Sequence, residues 1–186
     1  MKKCAKTDSP TAGPTASPTA SPTASPTVSP TAAPPDSPTD SPTADPTASP
    51  TAGFSRNFLI INPHTGKAMD VYRGYCADRT NVQLHNRNGY SSQIFRYHYP
   101  SKTISLVKCG SNKVLDIYGG GCNAGANIQL HNSNGGGHQK WVFASDGSIQ
   151  SVGCPGKNID IYARQTNLVI WNAKNDWNQK WRIQYV

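Results

Sequence analysis

Three aspartates, Asp70, Asp116 and Asp160, sit in near-identical surroundings along this chain. Each follows Met, Leu or Ile, precedes Val or Ile, and has a tyrosine two residues on, at Tyr72, Tyr118 and Tyr162. A carboxylate inside an apolar run is costly to bury unless it is hydrogen-bonded. Each could cap its own turn, but a turn-capping residue need not recur inside three strands. The other chemistry open to it is recognition of hydroxyls. A fixed carboxylate can accept two adjacent saccharide hydroxyls, one per oxygen. An aromatic face can then pack on the C–H side of the sugar ring, and an amide, which donates and accepts, completes the selection.

The aspartates belong to a longer skeleton. It runs Lys67, Asp70, Tyr72, Asn81, Asn86, Gln93, Phe95; then Lys113, Asp116, Tyr118, Asn127, Asn132, Gln139, Trp141; then Lys157, Asp160, Tyr162, Asn167, Asn172, Gln179, Trp181. The first two copies align without a gap at an offset of 46 residues. The third is offset by 44 at its aspartate and loses four residues between Tyr162 and Asn167. A fixed period means one structural unit used three times. Whatever the unit binds, it can bind more than once.

The elements that must position these residues read as strands. Alternating runs such as KAMDVY, NVQLH, KVLDIY, NIQLH, NIDIY and NLVIW are separated by HTG, GSN, PG, DG and glycine-rich turns,. About twelve strands result, four per repeat, and no window sustains a helical apolar period. Four strands taken three times is the count of a β-trefoil, a six-stranded barrel capped by three hairpins. A Greek-key sandwich also suits twelve strands but gives no reason for threefold identity. If the aspartates face out towards a ligand, the tyrosines share that face or its edge. Packing is the default expectation for their rings.

Composition divides the chain. Residues 1–53 hold twelve of the fifteen prolines, one at every fourth position from Pro10 to Pro50, mostly as Ser-Pro-Thr-Ala. With almost no apolar surface to bury, this stretch is expected to be a disordered, extended stalk or linker. Its Ser/Thr density also suits O-glycosylation. Residues 54–186 are enough for one all-β domain, with repeats at about 54–107, 108–152 and 153–186. That part carries fifteen Lys and Arg against six Asp, and the chain has no glutamate. A basic surface favours anionic partners, including acidic polysaccharides, although the charge also serves solubility alone; no nucleic acid is expected. No stretch reaches the length of a membrane-spanning helix. MKKCAKTDSP has no apolar run and is no readable signal peptide,, yet the stalk and cysteines suit an extracellular or cell-surface setting. The expectation is that this chain is a fragment, or a gene read from the wrong start, of an extracellular protein, with cytosolic residence the alternative.

Gln93-Ile94-Phe95, Gln139-Lys140-Trp141 and Gln179-Lys180-Trp181 close the repeats, preceded by (Leu/Met/Ile)-Asp-(Val/Ile) and by Gln-Leu-His-Asn or its counterpart. Over residues 54–186 the pattern resembles the ricin-type lectin β-trefoil. The resemblance implies carbohydrate binding of the galactose type, no catalysis and no cofactor. It also implies a mainly structural role for Gln93, Phe95, Gln139, Trp141, Gln179 and Trp181, and sugar contacts from the aspartate, an aromatic after the third-strand motif, and an amide before the Gln-x-aromatic. On that basis the third repeat has a full set in Asp160, Trp171 and Asn178, although Val169 replaces a glutamine. The second has Asp116, Gln129 and His131, with His138 before Gln139. The first has Asp70, Gln83 and His85, with Ser92 in the amide position.

Four cysteines lie in the domain. Cys76 and Cys122 are equivalent, and Cys109 and Cys154 nearly so. Threefold symmetry favours Cys76–Cys109 with Cys122–Cys154, but sequence leaves connectivity open. No metal-ligand spacing is present,, so no metal is expected. Three other readings compete with a free-standing lectin: a carbohydrate-targeting module of a larger glycosidase or toxin, a protein-binding trefoil, and an enzyme. The last is poorly supported, because glycoside hydrolysis needs paired carboxylates and repeat symmetry sets these aspartates apart.

Overall fold

The computed structural model describes residues 56–162 and 166–186. The Ser-Pro-Thr-Ala tract, Cys4 and the shortened loop of the third repeat fall wholly or mostly outside these residues.

The described chain is all-β, a β-trefoil of twelve strands. The strands are β1 (Phe58–Ile61), β2 (Ala68–Val71), β3 (Thr80–His85), β4 (Phe95–His98), β5 (Thr103–Leu106), β6 (Lys113–Ile117), β7 (Ile128–Asn132), β8 (Trp141–Phe143), β9 (Ile149–Ser151), β10 (Lys157–Ile161), β11 (Leu168–Asn172) and β12 (Arg182–Tyr185). Taken by fours, they place β5 and β9 at the start of the second and third units. The barrel strands pair as β1–β12, β1–β4, β4–β5 and β8–β9. The three hairpins β2–β3, β6–β7 and β10–β11 are antiparallel throughout. They meet one another through Asn81 opposite Gln129, Gln83 opposite Asn167 and Asn127 opposite Val169. Asn167 also donates its side-chain amide to the Asn127 side-chain carbonyl at 2.8 Å. The first asparagine of the repeat motif therefore works where the hairpins join.

Period-two alternation sets which residues face the ligand side. Met69 and Val71, Leu115 and Ile117, and Ile159 and Ile161 all enter the main core. Asp70, Asp116 and Asp160, each between two of these, must point the other way. The core is closed by the aromatic of each repeat's closing triplet. Phe95, Trp141 and Trp181 are buried there beside Phe58 and Ile60. Trp141 donates its indole N–H to the Leu115 carbonyl at 3.1 Å, and Trp181 to Ile159 at 3.2 Å. The buried rings thus satisfy their polar edge.

Cys76 is bonded to Cys109 and Cys122 to Cys154, with Cα–Cα distances of 5.4 and 5.2 Å. This is the symmetric pairing. Each bridge ties the loop after a repeat's tyrosine turn to the chain entering the next repeat's aspartate strand.

Candidate functional site

The three aspartates occupy equivalent places on the three hairpins. Asp70, Asp116 and Asp160 are only 4%, 3% and 3% exposed. A carboxylate this buried must be satisfied, and each is held by a donor on each oxygen. Gln129 donates to Asp116 Oδ1 at 2.8 Å and Gln139 to Oδ2 at 2.8 Å. Asn178 donates to Asp160 Oδ1 at 2.9 Å and Gln179 to Oδ2 at 2.7 Å. Gln83 donates to Asp70 Oδ1 at 3.2 Å and Ser92 to Oδ2 at 2.8 Å. The cross-strand glutamine reaches its aspartate because Asp70 lies opposite Gln83 and Asp116 opposite Gln129. In the third hairpin Val169 lies opposite Asp160, and Asn178 fills the vacated place. One acceptor lone pair per oxygen is left for a ligand.

The residue before each closing glutamine converges on its aspartate in all three repeats. Ser92 and Asn178 donate to it, and His138 Nε2 lies 3.4 Å from Asp116 Oδ2. Burial pushes the Asp160 carboxyl above the usual carboxylate value, against the opposing pull of Gln179, Lys174 and Asn178. Lys174 lies 3.9 Å from this carboxylate and 3.2 Å from that of Asp176.

The closing glutamines also brace the backbone. Gln93, Gln139 and Gln179 each donate to the carbonyl of Asn86, Asn132 or Asn172, and each accepts the N–H two residues further on. Gln139 and Gln179 add the aspartate bond; for Gln93, Ser92 makes it instead. Each glutamine reaches this position from a 3-10 turn: Ser91–Gln93, Gly137–Gln139 and Trp177–Gln179.

The tyrosines are not packed. Tyr72, Tyr118 and Tyr162 are 43%, 55% and 38% exposed, which corrects the packing expected of them. The strands end at Val71 and Ile117, and Tyr72 and Tyr118 open the 3-10 turns Tyr72–Gly74 and Tyr118–Gly120. A ring leaving a strand at a turn stays outside the barrel, and Tyr72 and Tyr118 line the same cavities as Asp70 and Asp116. The Gly119-Gly120 pair after Tyr118 was the local signal for that turn.

Two of the sites open into cavities. One of about 410 Å³ brings together Asp70, Tyr72, Gln83, His85, Tyr90 and Ser92, with Arg73 and Lys108 at its edge. The other, about 570 Å³, joins Asp116, Tyr118, Gln129, His131 and His138, with Arg79 entering from the first repeat. In the third repeat the rings of Tyr162 and Trp171 lie 6.0 Å apart at 51°. The loop residues 163–165 that continue from Tyr162 are outside the described residues. Among the described residues no cluster of three metal-ligating side chains occurs, and no helix is long and apolar enough to cross a membrane. In the first two repeats the arrangement can accept hydroxyls on a fixed anion beside an aromatic ring.

A family model for the ricin-type beta-trefoil lectin domain matches residues 56–181. A second, for the PT disordered repeat, matches residues 17–52. No curated protein matches the chain by sequence. Among solved structures, the fold is similar to the designed threefold-symmetric protein ThreeFoil, at 25% identity and a TM-score of 0.62 over 68% of this chain and 96% of that one. It is similar to the exo-β-1,3-galactanase 1,3Gal43A from Clostridium thermocellum, at 25% identity and 0.60, over 71% of this chain but 30% of the enzyme. It also resembles the C-half of the earthworm R-type lectin, solved with GalNAc, at 14% identity and 0.58 over 70% and 99%.

Proposed function

The chain belongs to the ricin-type β-trefoil lectin family, and from that premise we propose that its aspartate sites bind galactose-type saccharides without breaking a bond. The observation that supports this best is a buried carboxylate, held by a donor on each oxygen, at the same place in three repeats. Prepositioned donors remove the cost of orienting the acceptor when a ligand arrives. The ligand's hydroxyls then meet one free lone pair on each oxygen. Tyr72, Tyr118 and the Tyr162–Trp171 pair supply the aromatic surface. Ser92 and Asn178 play the third part by holding the carboxylate, and His138 presents a polar edge beside Asp116. Lone sugar sites are weak, and several on one barrel act by avidity.

The two disulfides favour an oxidising, extracellular location,. Under that reading the Ser-Pro-Thr-Ala tract serves as a stalk or linker for the domain at residues 54–186,. A second reading makes the domain the sugar-targeting part of a glycosidase. The galactanase likeness, which spans under a third of that enzyme, favours it.

The test is a glycan array with the wild type, Trp171→Ala, Asp116→Ala and Asp160→Ala. Loss of a charged hydrogen-bond acceptor costs about 1.5–3 kcal/mol, or about ten- to a hundredfold in affinity per site. Trp171→Ala, at a partly exposed ring, separates binding from folding, because its melting temperature should hardly change. A folded wild type that binds no glycan removes the proposal.

A further inference from the structure

Two cations at the first-repeat cavity have no acidic partner. Arg73 and Lys108 both line it, and among the described residues neither is ion-paired with a carboxylate. Asp70 is already engaged by Gln83 and Ser92. The Cys76–Cys109 bridge lies close in sequence to both cations, joining the loop after the Arg73 turn to the residue after Lys108. Lys108 Nζ lies over the backbone of Gly74, 3.1 Å from where a Cβ would stand. The Arg73 guanidinium lies 5.2 Å from the centre of the Tyr72 ring.

The second repeat differs at both places. Arg73, at φ 52, corresponds to Gly119, at φ 67. This is left-handed backbone, which suits glycine and strains a residue with a Cβ. Lys108 corresponds to Gly153, where a Cβ would meet the Gly137 backbone at 2.3 Å. At Arg73 a side chain is kept on left-handed backbone where the second repeat has glycine, which points to a use for it,; at Lys108 the first repeat has room for a cation where the second has none. The second cavity is lined by one cation, Arg79, and one carboxylate, Asp116, so its formal charges balance. The first carries two cations against one carboxylate.

We propose that the first-repeat cavity selects saccharides bearing an anionic substituent, a uronate carboxylate or a sulfate ester. This rests on the saccharide reading above. Asp70 takes ring hydroxyls at the floor, and Arg73 and Lys108 take the anion at the rim. The planar guanidinium fork matches either oxyanion, and the ammonium adds a point charge. Without the two cations, Asp70 would repel such a ligand.

Titration calorimetry with three oligosaccharides that differ only in the terminal residue tests this: galactose, galacturonate and 6-sulfated galactose. The wild type should bind at least one acidic probe about tenfold or more tighter than the neutral one, and added salt should shrink the difference. The galacturonate and sulfate arms tell which anion is read. In Arg73→Gly with Lys108→Met the preference should vanish, with the melting temperature unchanged or raised. Equal wild-type binding of all three probes, or a preference that survives in the double variant, overturns the inference while the saccharide reading stands. Binding of none of the probes, nor of any glycan on the array, ends both.

Discussion

Gln179→Ala is the sharpest probe of how the site and the fold share one residue. The Gln179 side chain is fully buried. It donates to Asp160 Oδ2 at 2.7 Å and to the Asn172 carbonyl at 2.9 Å. Its own oxygen accepts from the Lys174 N–H at 3.0 Å and the Asn158 side-chain amide at 3.0 Å. Truncation orphans these partners, one of them a charged and buried carboxylate. A buried group left unsatisfied costs about 1–3 kcal/mol, and more if charged. Partial relaxation and water entry reduce the sum, so a net loss of roughly 3–5 kcal/mol is expected. The equivalent Gln93 bonds only the Asn86 carbonyl and the Asn88 N–H, so Gln93→Ala should cost about half as much. At about 4 °C per kcal/mol for a domain of this size, calorimetric unfolding separates the two. Gln179→Ala should also weaken glycan binding, since Asp160 loses a donor that fixes it, whereas Ser92 still holds Asp70 when Gln93 is removed. Equal losses for the two variants, or a loss below about 1 kcal/mol for Gln179→Ala, would refute the claim that the aspartate bond distinguishes them.

Three further outcomes are expected. Replacing Cys122 and Cys154 by serine opens a link across 32 residues and should cost about 3–4 kcal/mol in the chain-entropy account, measured by denaturant unfolding with and without reductant. Asp146, held at about 2 by Ser148 and Lys180, has its folded value below its unfolded one. It therefore adds stability above about pH 4 that is lost towards pH 2; because the group is half exposed, the amount is about 1 kcal/mol or less, and Asp146→Asn should flatten that part of the stability–pH curve. Asp160 runs the other way: burial raises its value, so its contribution to stability is present at acid pH and lost as pH rises. Sugar binding that needs the ionised Asp160 should fall away on acidification earlier than for an ordinary carboxylate, and Asp160→Asn should remove that pH dependence.

The sequence by itself determined the trefoil, because its information is local and repeated. Strand alternation, turn residues and one skeleton written three times are visible without coordinates, and the Gln-x-aromatic triplets mark where each unit closes its core. Repetition favoured the symmetric disulfides, but connectivity stayed open until the structure joined Cys76 to Cys109 and Cys122 to Cys154. What needed the tertiary structure is whatever depends on which residues meet across a gap in sequence. Ser92 replaces Gln93 as the partner of Asp70 although the glutamines are equivalent in sequence. The first asparagine of each motif works between hairpins, as Asn167 does with Asn127. The tyrosines, read as packed, are exposed; Tyr72 and Tyr118 leave their strands at 3-10 turns and line the cavities of Asp70 and Asp116. Arg73 and Lys108, far apart in sequence, share a cavity through the packing of one repeat's loop on the start of the next, which the Cys76–Cys109 bridge ties down. Alternation tells which side of a strand a residue takes. Only the packing of one unit on the next decides what it faces there.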